Sequence, residues 1–81
     1  MSAADTLRAL ARRLAHAADR VETLTAPRAR RVADAGWDCP RGRRAARRAG
    51  ELSISARAGS EQLRAAAHEL TRAAHELDHA P

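Results

Sequence analysis

Trp37-Asp38-Cys39-Pro40 is the stretch that decides how this chain folds. It holds the only Trp, the only Cys and a proline suited to the start of a helix, and it lies near the midpoint of 81 residues. A proline in the first helical position lacks an N–H that would have gone unbonded anyway, so Pro40 opens a second helix with Cys39 or Asp38 as its cap. Just upstream, Gly36 can adopt the left-handed conformation that ends a helix. The chain therefore reads as one all-α domain: a helix over about 3–35, a turn over about 36–39 and a helix over about 40–79.

Toward the N-terminus, Leu7, Leu10, Leu14, Ala17, Val21 and Leu24 alternate spacings of three and four, which puts them on one helical stripe widened by Ala11 and Ala18. Ser2 is placed to cap this helix, and Asp5 suits the positive end of its dipole. Pro27 inside a helix costs about 3 kcal/mol, so a kink is expected near residues 25–27. The heptad also fails there. Its next positions are Arg28 and Arg31, while Ala29, Val32 and Ala33 mark a shifted stripe.

Toward the C-terminus, Ala45, Ala49, Leu52, Ala56, Gly59, Leu63, Ala66, Leu70, Ala73 and Leu77 keep heptad spacing, with Ala46, Ala67 and Ala74 beside them. Folding the arms together about the turn pairs Leu7 with Leu70, Leu14 with Leu63, Leu24 with Leu52 and Ala17 with Gly59. The expected fold is an antiparallel two-helix hairpin with Leu7, Leu10, Leu14, Val21, Leu24, Leu52, Gly59, Leu63, Leu70 and Leu77 in its seam. Gly59 would mark a close crossing, and Leu77 would overhang the first arm.

Composition limits what such a hairpin can do alone. A chain this short buries only about 60% of the surface its unfolded form exposes. Its apolar residues are mostly Ala, 22 of them against eight Leu, with no Phe or Tyr, so the core is thin. A second chain is the usual remedy, and an oligomer or a heteromeric complex is expected. Basic charge is unevenly placed. Eight Arg (Arg28, Arg30, Arg31, Arg41, Arg43, Arg44, Arg47, Arg48) stand against Asp34 and Asp38 within residues 28–48, whereas the remainder carries seven Arg against eight acids. The hairpin tip therefore holds the excess charge, and guanidinium suits phosphate or carboxylate.

Catalytic readings find little support. His75-Glu76-Leu77-Asp78-His79 has the H-E-x-x-H spacing of a zinc hydrolase. The same letters arise from a seven-residue repeat, His68-Glu69-Leu70 and His75-Glu76-Leu77, that serves the heptad, and a thin hairpin offers no cleft. Cys39 at a helix start among arginines could carry a stabilised thiolate, but a cap standing where Ser would serve explains it. Trp37 can plug the open end of the hairpin against Val32, Ala45 and Ala49. No catalytic, cofactor or metal site is expected. The opening residues are broken by charge before an apolar run of signal-peptide length, so neither a Sec-type leader nor a membrane span is expected.

Two heptad arms joined at a central Trp turn resemble the WXG-type helical hairpins, small substrates and partners of type VII secretion systems. The turn residues Trp37, Cys39, Pro40 and, beyond them, Gly42 are similar to the family's Trp-x-Gly/Ser-Pro variant, and the tail from Leu70 to Ala80 resembles its Ala/Leu/His-rich endings. The resemblance implies a non-enzymatic interaction module that pairs with itself or a sister hairpin into a four-helix bundle dimer and engages the secretion machinery. It implies a cytoplasmic protein with a Sec-independent type VII route outward. The chain departs from the family in having Cys39 at the motif's Gly and no Tyr for a Tyr-x-x-x-Asp/Glu export signal. The basic tip carries a second reading, a nucleic-acid-associated protein.

Overall fold

The computed structural model describes residues 2–36 and 38–80. Helix α1 spans Ala3–Arg20, a π-helical turn spans Val21–Thr25, α2 spans Ala26–Ala33, and after the turn α3 runs from Pro40 to Asp78. The first three elements form one arm and α3 the other, giving an antiparallel hairpin 65 × 15 × 12 Å. No helix among the described residues is long and apolar enough to cross a membrane.

The ends follow local chemistry. Ser2 accepts a hydrogen bond from the Asp5 N–H at 3.1 Å, and Cys39 Sγ accepts one from the Gly42 N–H at 3.3 Å, so each arm has a side-chain cap. Gly36 takes φ 72°, the left-handed conformation that carries the chain out of α2. The expected plug formed by Trp37 lies outside the described residues.

The seam runs one position to the side of the expected stripe. The buried residues of the first arm are Ala4, Ala11, Ala18 and Ala26; those of α3 are Gly42, Ala49, Ser53, Ser60, Ala67 and Ala74. Every one is small. Leucines at these positions would hold the helices apart, whereas Ala, Ser and Gly let the backbones approach, and the bulkier row is left beside the contact. Of the large residues assigned to the seam, Leu10, Leu24, Leu52 and Leu77 are exposed and Leu7, Leu14, Val21, Leu63 and Leu70 half-buried.

The register is shifted as well. On the expected pairing Ala33 would meet Arg44 and Glu22 would meet Ser55. Instead an ideal Cβ on Gly50 lies 3.8 Å from the Ala33 Cβ, and Ser60 donates to Glu22 at 3.1 Å. A Cβ on Gly59 would meet no atom within 4 Å, so it marks no close crossing, whereas Gly50 faces the other arm at ordinary contact distance. The tail does not overhang the first arm either, since Asp78 is ion-paired with Arg8.

Both arms change phase at one level. Ala4, Ala11 and Ala18 are seven residues apart, but Ala26 follows after eight, and the π turn between them absorbs the additional residue. The Ala26 N–H bonds back to the Val21 carbonyl, five residues away. Widening the helix here also eases Pro27, whose ring crowds the carbonyl four residues earlier. In α3 the buried row steps from Ala49 to Ser53 after four residues, a stutter, before resuming sevens through Ser60, Ala67 and Ala74. Ser53 Oγ donates to the Ala26 carbonyl at 3.4 Å where the two irregularities meet.

Candidate interaction surface

Helical geometry sorts the remaining side chains into two faces. At about 100° per residue, positions one before and three after a buried residue fall on the same side of their helix. On the first arm these are Leu7, Leu10, Leu14 and Val21; on α3 they are Leu52, Leu63, Leu70 and Leu77. Because the arms run in opposite directions, both rows project from the same side of the hairpin. The result is one apolar face in which Leu10 is 42% exposed, Leu77 51% and Leu52 62%. None of the eight leucines is buried in the hairpin.

Positions one and four after a buried residue fall on the opposite side, and their large side chains are charged or polar apart from Ile54, which is 72% exposed. Arg64 donates to Asp19 at 2.6 Å and to both oxygens of Glu22 at 2.8 and 3.1 Å. Ser60 donates to the same Glu22 carboxylate and to the Arg57 carbonyl. The Arg64 hydrogen bond holds the Glu22 carboxyl below its ordinary value, and Glu22 in turn raises the Arg64 guanidinium further. Arg8 is raised likewise by Asp78. These pairs strap the arms together on one flank.

The tip is basic on its outside. All eight arginines of residues 28–48 are exposed. Arg30 lies 3.6 Å from Asp34, and Arg43 donates to the Asp38 carbonyl at 2.9 Å. Apart from Arg30, none of the eight has an acidic side-chain partner among the described residues. Arg43, Arg44 and Arg47 wall an open hollow floored by Ala33, Gly36, Pro40 and Ala46. Of the turn residues, Gly42 is buried and Cys39 is exposed and engaged as a cap.

The histidine segment forms no gathered site. The His75 and His79 rings stack with centroids 4.0 Å apart, and His79 Nδ1 lies 2.8 Å from the His75 carbonyl. No group of three or more His, Cys, Asp or Glu side chains comes together among the described residues.

Sequence reasoning missed the contributions of Ser53, Ser60 and Arg64. The signal was present, since Ser53 and Ser60 extend the seven-residue spacing of Ala67 and Ala74. Polar letters in an apolar frame hid it. Comparison of the chain with family models, with curated proteins and with solved structures gives no match.

Proposed function

We propose that this protein is a non-enzymatic interaction module, a WXG-type hairpin that pairs through its leucine face with a second copy or a sister hairpin to form a four-helix bundle. The observation that carries the reading is that no leucine is buried within the hairpin, although the rows of both arms share one side. Burying a leucine contributes about 1.5–3 kcal/mol, against about 0.8 kcal/mol for one methyl group. Leu10, Leu24, Leu52 and Leu77 keep between 42% and 62% of their surface exposed, and that apolar area is left for a partner. The opposite flank carries the interarm ion pairs and, of large apolar side chains, Ile54, so the row of leucines favours pairing on its own side.

The turn residues Cys39 and Pro40, following Trp37, support the WXG-type assignment together with the lengths of the two arms. On this reading the protein travels with the type VII machinery. Having no Tyr, it relies on its partner for the Tyr-x-x-x-Asp/Glu signal.

Light scattering on the purified chain, alone and coexpressed with the product of the neighbouring gene, tests the proposal. The expected result is a particle of at least two hairpins that dissociates on replacing Leu10 and Leu70 with Glu. A monomer of 8.7 kDa under both conditions, fully helical at micromolar concentration, would refute it.

A further inference from the structure

We infer that the hairpin tip is a binding site for the phosphate backbone of double-stranded nucleic acid, independent of the leucine face. Outside the tip three of the seven arginines are used internally: Arg8 pairs with Asp78, Arg64 with Asp19 and Glu22, and Arg72 with Glu69. Of the eight at the tip only Arg30 meets an acidic side chain, Asp34, among the described residues. Relative to the buried Gly42 and Ala49, the guanidiniums of Arg41, Arg43, Arg44, Arg47 and Arg48 fan over the half of α3 turned away from the seam. Arg43 and Arg47, like Arg44 and Arg48, are one turn apart, a like-charge spacing that disfavours the isolated helix and is relieved by a bridging anion. From the other arm Arg28 and Arg31 add charge at the same end.

The surrounding chemistry selects the partner. Insertion into a lipid surface needs several large apolar side chains interleaved with the charges, and within residues 28–48 the described residues offer one, Val32, beside Ala, Gly, Pro and Cys. Single-stranded nucleic acid is held by stacked aromatic rings, and Trp37 is the one aromatic residue among Phe, Tyr and Trp. Residues 26–50 contain no Asn, Gln, Ser or Thr to read base edges beside the arginines. What remains is an array of guanidiniums suited to successive phosphates, with affinity set by counterion release and little dependence on sequence.

The test is fluorescence anisotropy of the full chain with two labelled 20-base-pair DNA duplexes of unrelated sequence, from 50 to 200 mM NaCl. About five phosphate contacts give a slope of about −4.5 in log K against log salt, a loss on the order of 500-fold over that range. Replacing Arg43, Arg44 and Arg47 with Gln should lower the slope by about three, and the single variants R44Q and R47Q by about one each. Replacing Arg12, Arg13 and Arg20 with Gln removes the same charge from α1 and should leave the slope unchanged. Circular dichroism verifies the helix content of each variant. Equal losses in the tip and α1 variants, or affinity insensitive to salt, would overturn the inference. So would tighter binding, per unit charge, to polyglutamate or to phosphatidylserine vesicles than to the duplexes, which would assign the tip to an acidic protein or a membrane.

Discussion

Ser53 donates its hydroxyl to the carbonyl of Ala26 at the level where the π turn of the first arm meets the four-residue step of α3. An isolated irregularity in either arm would rotate its buried row away from the other. Matched at one level, they keep small residues facing each other on both sides of it, and the leucines stay together on one flank.

The additional residue in the π turn gives the first prediction. Deleting Thr23, which is exposed within that turn, restores uninterrupted seven-residue spacing from Ala4 to Ala33. The deletion leaves the four-residue step of α3 unmatched and should lower the melting temperature. Deleting Ala9 from α1 instead misaligns only Ala4 from the rest of the seam and should lower it less. The pair of melts separates a register device from a general intolerance of shortening.

A second prediction contrasts the seam with the face beside it. Ala18 is fully buried at 0% exposure, so Ala18→Leu forces larger atoms into a close helix contact and should cost about 1–3 kcal/mol in urea unfolding. Leu52 is 62% exposed. Leu52→Ala should change the stability of the isolated hairpin by no more than about 0.5 kcal/mol while weakening association in sedimentation experiments.

How much of this was legible follows from what the pattern can and cannot distinguish. The two arms, the caps at Ser2 and Cys39, the left-handed Gly36 and the break before Pro27 all come from local backbone chemistry, which the sequence states outright. Which apolar row faces inward does not. Leu10 and Ala11 are adjacent, both apolar and both heptad-spaced, and only the spacing between helices decides between them. Small residues win because they allow close approach. The same ambiguity drew attention to Gly59, which faces open space, and away from Gly50, which faces Ala33. The basic tip was legible because charge runs survive any one-residue rotation.

Acid should loosen the strapped flank. The folded-state pKa of Glu22 is lowered from its ordinary 4.5, chiefly by the hydrogen bond from Arg64. A depressed carboxyl contributes stability that is present above its unfolded value and lost as pH falls through the folded one. The melting temperature should therefore drop on going from pH 5 to pH 3, and Glu22→Gln should shrink that drop while lowering stability at pH 7. An unchanged acid response in the variant would contradict the assigned role of the Arg64 pair.

Cys39 should behave as a cap and nothing more in the isolated hairpin. Cys39→Ser keeps an acceptor for the Gly42 N–H and should be at least as stable as the parent, whereas Cys39→Ala should cost up to about 1 kcal/mol. Chemical denaturation of the two variants side by side reads the difference.

The central claim, that the arms close along a row of small residues in a register with Ala33 against Gly50, is tested most directly by a cross-link. The 3.8 Å between the Ala33 Cβ and an ideal Cβ on Gly50 matches the mean separation of about 3.8 Å in disulfides. With Cys39 replaced by Ser, the pair A33C/G50C should oxidise within one chain, giving a compact monomeric species on non-reducing gels at high dilution. The pair A33C/R44C, which fits the leucine-on-leucine register, should not. Formation of the second bond and failure of the first would contradict the account.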